Sequence, residues 1–325
     1  YERQVGLIVS GVVDKWAGVQ LIDADTPNFG IDEPCQGDFC DLAVPFFEYE
    51  IDDQTEFATG GEGLLSLPLA DNLSIQSDVK YEYNSQAFDS IYKSTGPRYW
   101  YQGAVHLSWR DPMTGLFGAF GGMGGSSSGF PLMGRQDYHF VGGEAQFYMD
   151  MLTFYGQGGY LDVDRRESGC GAELCVRLDE SPDEGFFGRG VVRWFPTPAS
   201  RLQLEGTYLN LTTDFGRGFD ADNNVWSWKA RYDFDFGGLP IVGELPVFFA
   251  YRGTLREDCV GMMHQGGGNS GGDLVTHTFM VGTSYSFNGD RLTIDRQGAT
   301  LDTPDFGNMI GCSTGYGLNR VADET

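Results

Sequence analysis

The feature that most constrains this chain is an alternation of period two. In "VWSWKARYDFDF", Trp226, Trp228, Ala230, Tyr232, Phe234 and Phe236 fall on one parity and Ser227, Lys229, Arg231, Asp233 and Asp235 on the other. A strand with one apolar and one charged face has to bury the first or hide the second. The same chemistry recurs. "NLSIQSDVKYEY" sets Leu73, Ile75, Val79, Tyr81 and Tyr83 against Ser74, Gln76, Asp78, Lys80 and Glu82, and "RYWYQGAVHLSWR" sets Tyr99, Tyr101, Val105, Leu107 and Trp109 against Trp100, Gln102, His106, Ser108 and Arg110. "RLQLEGTYL", "PVFFAYRGTL" and "VTHTFMVGTSYSF" repeat it.

Strands are expected to begin near Gln4, Gly63, Asn72, Arg98, Gly115, Asp137, Leu152, Gly185, Arg201, Val225, Pro246 and Leu274. "GLFGAFGGMGGSS" is so rich in glycine that its parity cannot be assigned. Short connections alternate with long ones, so the short turns gather at one end of the sheet and the long loops at the other. With 48 glycines, 14% aromatic residues and no apolar run near the eighteen residues of a membrane helix, the expectation is all-β. An even strand number with short turns at one end predicts an antiparallel transmembrane β-barrel of about 12 strands, with short periplasmic turns and long acidic extracellular loops. Closure has a physical cause, since a sheet in hydrocarbon cannot leave its edges unpaired. The start at Tyr1 carries no signal-peptide pattern, so an export signal is expected to have been removed or never to have existed.

On this reading Lys80, Arg110, Arg189, Arg193, Arg201, Lys229, Arg231 and Arg252 face the lumen, opposite Asp78, Glu82, Glu144, Glu205, Asp233 and Asp235, with His106 among them. Formal net charge is −25, and between Asp23 and Glu62 stand twelve acidic residues with no Lys or Arg. That sign excludes nucleic acid as a partner. The plain reading is a solvated, repulsive surface; the sharper one is Ca2+ held by carboxylates, as a discrete site or a bridge to lipopolysaccharide. Asp220, Asp222 and Asn224 in "DADNN" have oxygen-rich spacing but lack the Gly and closing Glu of a calcium loop. No other cofactor motif is present.

Six cysteines form two tight pairs, Cys35 with Cys40 and Cys170 with Cys175, and a distant remainder, Cys259 and Cys312. Disulfides in an oxidising compartment are favoured over zinc, whose sites need tighter spacing and further ligands nearby. Residues 1–288 are read as the barrel and 289–325 as a tail. From Gly289 to Cys312 an extended chain reaches roughly 75–80 Å at about 3.3 Å per residue, against an apolar band about 25 Å tall. The tail can therefore turn back into the lumen and bring Cys312 to Cys259; the alternative is that both thiols are free or pair between chains.

The segments "GGEGLLSLPLADNLSIQSDVKYEY", "GAVHLSWRDPMTGLFGAFGG" and "DRQGATLDTPDF" resemble a largely uncharacterised family of porin-like barrels from alphaproteobacterial outer membranes. The resemblance runs from the second strand to about Phe306. It implies an integral outer-membrane barrel and supplies no catalytic residues; the acidic first loop and the tail after Phe306 are not explained by it. Three functions follow: a narrow channel for small solutes or ions, with the tail as a plug; a docking barrel presenting stapled acidic loops to cations, lipopolysaccharide or a surface-layer partner; or an enzyme such as a membrane phospholipase. The enzyme fares worst. His277 has the opposite parity from Ser284 and Ser286, and His106 beside Ser108 has no orienting carboxylate visible in sequence. Porins are often trimers, but no homo-oligomer interface can be read from these residues.

Overall fold

The computed structural model describes residues 6–24, 54–85, 98–127, 135–165, 170–171, 174–175, 183–214, 220–239, 243–263 and 269–310. Twelve strands form a closed antiparallel barrel in which β1 pairs with both β2 and β14. Its strands are β1 (Ser10–Ala24), β2 (Gln54–Ala70), β3 (Leu73–Asn84), β4 (Arg98–Asp111), β5 (Gly115–Ser127), β6 (Arg135–Met149), β7 (Leu152–Arg165), β10 (Asp183–Thr197), β11 (Ser200–Asp214), β12 (Asp220–Leu239), β13 (Gly243–Met263) and β14 (Asn269–Phe287). Two-residue strands β8 (Cys170–Gly171) and β9 (Leu174–Cys175) make a separate hairpin between β7 and β10. Helices α1 (Arg291–Gln297) and α2 (Phe306–Met309) follow β14.

The alternation decides which way each wall faces. Along β3 the even positions from Ser74 to Asn84 are all buried and the odd ones are not. Lumen parity on β12 buries Arg231 and Asp233, while Trp226, Trp228 and Tyr232 are exposed. The glycine-rich β5 is settled by register: Leu116 lies opposite Arg110 of β4 and faces inward with Phe120, leaving Phe117 and Met123 outside. At the short-connection end, "RDPMTG" closes through Asp111, whose carboxylate accepts from Met113 N at 2.9 Å and Thr114 Oγ1 at 3.0 Å. The two-residue β6–β7 turn puts Asp150 at φ 51°, a left-handed position that aspartate tolerates.

Several strand starts differ from those read in the sequence. Strand β1 begins at Ser10 rather than near Gln4, whereas β2, β12 and β14 begin at Gln54, Asp220 and Asn269, five to nine residues early. Beyond the apolar belt these strands need no apolar face, so the ladder runs on after the alternation has faded. The β11–β12 and β13–β14 connections shrink accordingly to 215–219 and 264–268.

After Phe287 the chain reverses. Asn288 takes φ 65° and donates from Nδ2 to Val9 O at 2.8 Å, and Asp290 caps α1 by accepting from Thr293 N at 2.8 Å. Helix α1 lies across the short-connection mouth: Leu292 N donates to Pro198 O, Gln297 O accepts from Ile8 N, and Arg296 donates to Asp150 O. Residues 299–310 then run inward and upward. Ala299 N meets Ser10 Oγ at 2.8 Å, Thr303 N meets Asp78 at 2.8 Å, and Asn308 reaches Thr254 of β13 at 3.0 Å.

Candidate functional site

The interior joins a charged wall to this inserted segment. Residues 299–305 belong to no sheet or helix, so their backbone groups need partners from elsewhere. Inward side chains provide them. Gln76 accepts from Thr300 N (3.0 Å) and Leu301 N (3.1 Å) and donates to Leu301 O. Asp302 O accepts from Arg189 (2.8 Å) and Gln157 (2.9 Å), and Pro304 O from Gln102 (2.8 Å).

Three tail carboxylates are held by wall cations. Asp295 pairs with Arg193 at 2.8 Å and accepts from Thr153 at 2.6 Å. Asp302 sits between Arg189 (2.7 Å), Arg193 (3.2 Å) and Lys80 (3.7 Å). Asp305 sits between Lys80 (3.0 Å), Arg252 (3.4 Å) and Lys229 (3.6 Å). Burial alone would raise both of the last two acids, but the cations outweigh it: Arg189, Lys80 and Arg193 hold Asp302, and Lys229, Lys80 and Arg252 hold Asp305, well below the usual carboxylate range.

The remaining charges pair within the wall. Arg231 joins Asp14 and Asp233, Arg252 makes a two-pronged contact with Glu82 at 2.8 Å, and Glu205 takes Arg189 at 2.7 Å. Arg201 is 2.9 Å from Asp233. Asp235, on lumen parity, sits exposed near the short-connection mouth, 3.9 Å from Arg291. Arg110 is fully buried and donates to Gly298 O at 2.6 Å.

His106 is corrected in one respect: it has a carboxylate, Glu144, 3.0 Å from Nδ1, which also accepts from Tyr155 at 2.6 Å and Gln157 at 3.2 Å. Ser108 bonds instead to Ser74 at 2.9 Å, and His277 lies on the outer face against Tyr251 at 2.8 Å. No nucleophile is brought to His106 Nε2 among the described residues.

On the other side of the interior, toward the long-connection end, the filling is apolar. Phe306 packs on Phe140 and Phe187, each with ring centroids 4.8 Å away, and Met309 and Ile310 join Leu161, Leu209 and Val225.

Of the calcium candidates, Asp220 to Asn224 belong to strand β12 rather than a loop, and the side chains of Asp220 and Asp222 lie outside the described residues. Asn224 is engaged by Tyr208, Asn210 and Glu257. Among the described residues no group of three or more His, Cys, Asp or Glu could hold a metal ion. Cys35, Cys40 and Cys312 lie outside the described residues, as do the side chains of Cys170, Cys175 and Cys259; the β8–β9 hairpin does place Cys170 and Cys175 at paired positions.

Asp14 and Glu62 were missed because β1 and β2 alternate poorly around their glycines. The tail acids Asp295, Asp302 and Asp305 gave no sequence signal of where they would lie.

No family model matches the chain and no curated protein does, so neither supports the expected alphaproteobacterial kinship. Among solved structures, it is similar to a Pseudomonas aeruginosa FadL homologue (12% identity, 86% of this chain and 90% of that one, TM-score 0.40). It is also similar to the Pseudomonas putida toluene transporter TodX (10%, 86% and 89%, 0.33) and to the outer membrane protein OprG from Pseudomonas aeruginosa (9%, 89% and 100%, 0.27). At such scores the likenesses carry no argument about activity, and the functional reading rests on this chain's own residues.

Proposed function

We propose that the chain is an integral bacterial outer-membrane barrel that acts as a narrow, porin-like channel for small solutes or ions, with its C-terminal segment seated in the lumen as a plug. One observation carries the reading, the inversion of ordinary solubility. Phe117, Val141, Phe186 and Phe279 are 53–68% exposed on the outer face, while Arg193, Asp233 and Glu82 are at most 1% exposed inside. Water outside would penalise the first set, and a barrel built only for stability would gain by filling its interior with apolar side chains. Lipid outside and a wet lumen suit both. The tail is held largely by hydrogen bonds and ion pairs, contacts that water can replace when it leaves. With the long connections outward, the acidic 23–62 stretch would concentrate divalent cations, and through them lipopolysaccharide, at the outer mouth.

Planar-bilayer conductance tests the reading. Deleting the chain after Phe287 is expected to raise a steady ohmic current well above that of the full chain. Since a deletion can disturb folding, the full-length Phe306→Ala variant is measured beside it and is expected to show more frequent openings. Silence of both variants, in barrels that retain their β-sheet circular dichroism, would overturn the channel in favour of a non-conducting docking barrel.

A further inference from the structure

The seated tail does not fill the lumen evenly. Up to Pro304 its backbone rests on the β3–β10 arc, through Gln76, Gln102 and Gln157, and its apolar end packs on Phe187 while Thr254 and Arg256 of β13 hold it from the far side. Toward β12 and β13 its central stretch is reached by the long cations Lys229 and Arg252. On that side lie two small interior spaces of about 40 Å³ and 30 Å³, and Glu62 and Lys229 line both. Strand β1 borders both: Val12 and Asp14 line the larger space and Trp16 the smaller. Two neighbouring spaces that share a charged lining suit a wet path better than a packed core.

We infer that a polar side passage persists beside the seated tail, sized for water and small inorganic ions, and that Lys229 and Glu62 set its charge preference where the two spaces adjoin. This rests on the channel reading above. Lys229 is suited to the role because its ion pair with Asp305 is long, 3.6 Å, and its side chain keeps some exposure. Glu62 faces the path from β2 and is paired to Lys80 at 3.3 Å. With cations and anions interleaved along the walls, neither sign is excluded, and the pair at the junction tips the balance.

The test uses the full chain in a planar bilayer under a KCl gradient. A small, steady conductance is expected with the tail in place. Lys229→Glu should move the reversal potential toward the K+ equilibrium value, Glu62→Gln toward that of Cl−, and Lys229→Arg should leave it unchanged. A silent full chain beside a conducting tail-deleted one would overturn the passage and leave the channel standing; silence in both would overturn both. Conductance whose reversal potential ignores both charge changes would also overturn the assignment.

Discussion

Asp305 shares its charge among three cations from three strands, and the same redundancy surrounds Asp302. Most of those cations keep a second partner in the wall: Lys80 has Glu62, Arg189 has Glu205, and Arg252 has Glu82. Removing one tail carboxylate therefore strands little buried charge, and its cost lies nearer that of a charged hydrogen bond than of a broken buried pair. Asp305→Asn is expected to weaken tail seating by about 2 kcal/mol, read as cleavage of the tail by added protease roughly thirty times faster. The pH response has a definite sign. Carboxylates held below their ordinary values stabilise the seated form at neutral pH, and that contribution fades only as pH falls below about 4. Protease protection of the tail should accordingly be level from pH 8 to pH 5 and decline only in stronger acid; a loss between pH 7 and pH 5 would assign the hold to other groups.

At the scale of elements, the tail divides into a capped helix at the mouth and an apolar end held by the Phe306 cluster. Phe306→Ala removes a buried ring from contact with Tyr138, Phe140 and Phe187, a loss of about 3–5 kcal/mol. Hydrogen exchange should then quicken over 303–310, while α1, held by the Asp290 cap and Arg291 contacts, keeps its protection. The strands were legible wherever one parity had to meet an apolar medium: β3, β4, β12, β13 and β14 face as their sequences require. They were illegible where that demand lapses. Asp220–Asn224 continue their ladder past the belt, Gly60, Gly61 and Gly63 interrupt the alternation of β2, and β5 hides its parity behind glycines whose inward neighbours, Phe120 and Phe140, fill the space. Gln76 could be placed inward by parity, yet nothing local showed that its amide would hold the backbone of a segment 225 residues away.

For the whole molecule, the interior is nearly balanced in sign among the described residues, while the chain carries −25 overall and ten acidic residues with no Lys or Arg stand between Asp23 and Asp53. The tail's partners come from β1, β3, β4, β7, β10 and β13, so no run of neighbouring strands supplies them. A barrel missing a hairpin, or slipped by one residue, would turn the wrong faces inward and offer the segment a different pattern of donors and charges. The seated contacts therefore need strands from several parts of the ring in register at once, so the fit of this one segment is a readout of the whole enclosure: a faulty ring would hold it less tightly and leave it open to protease.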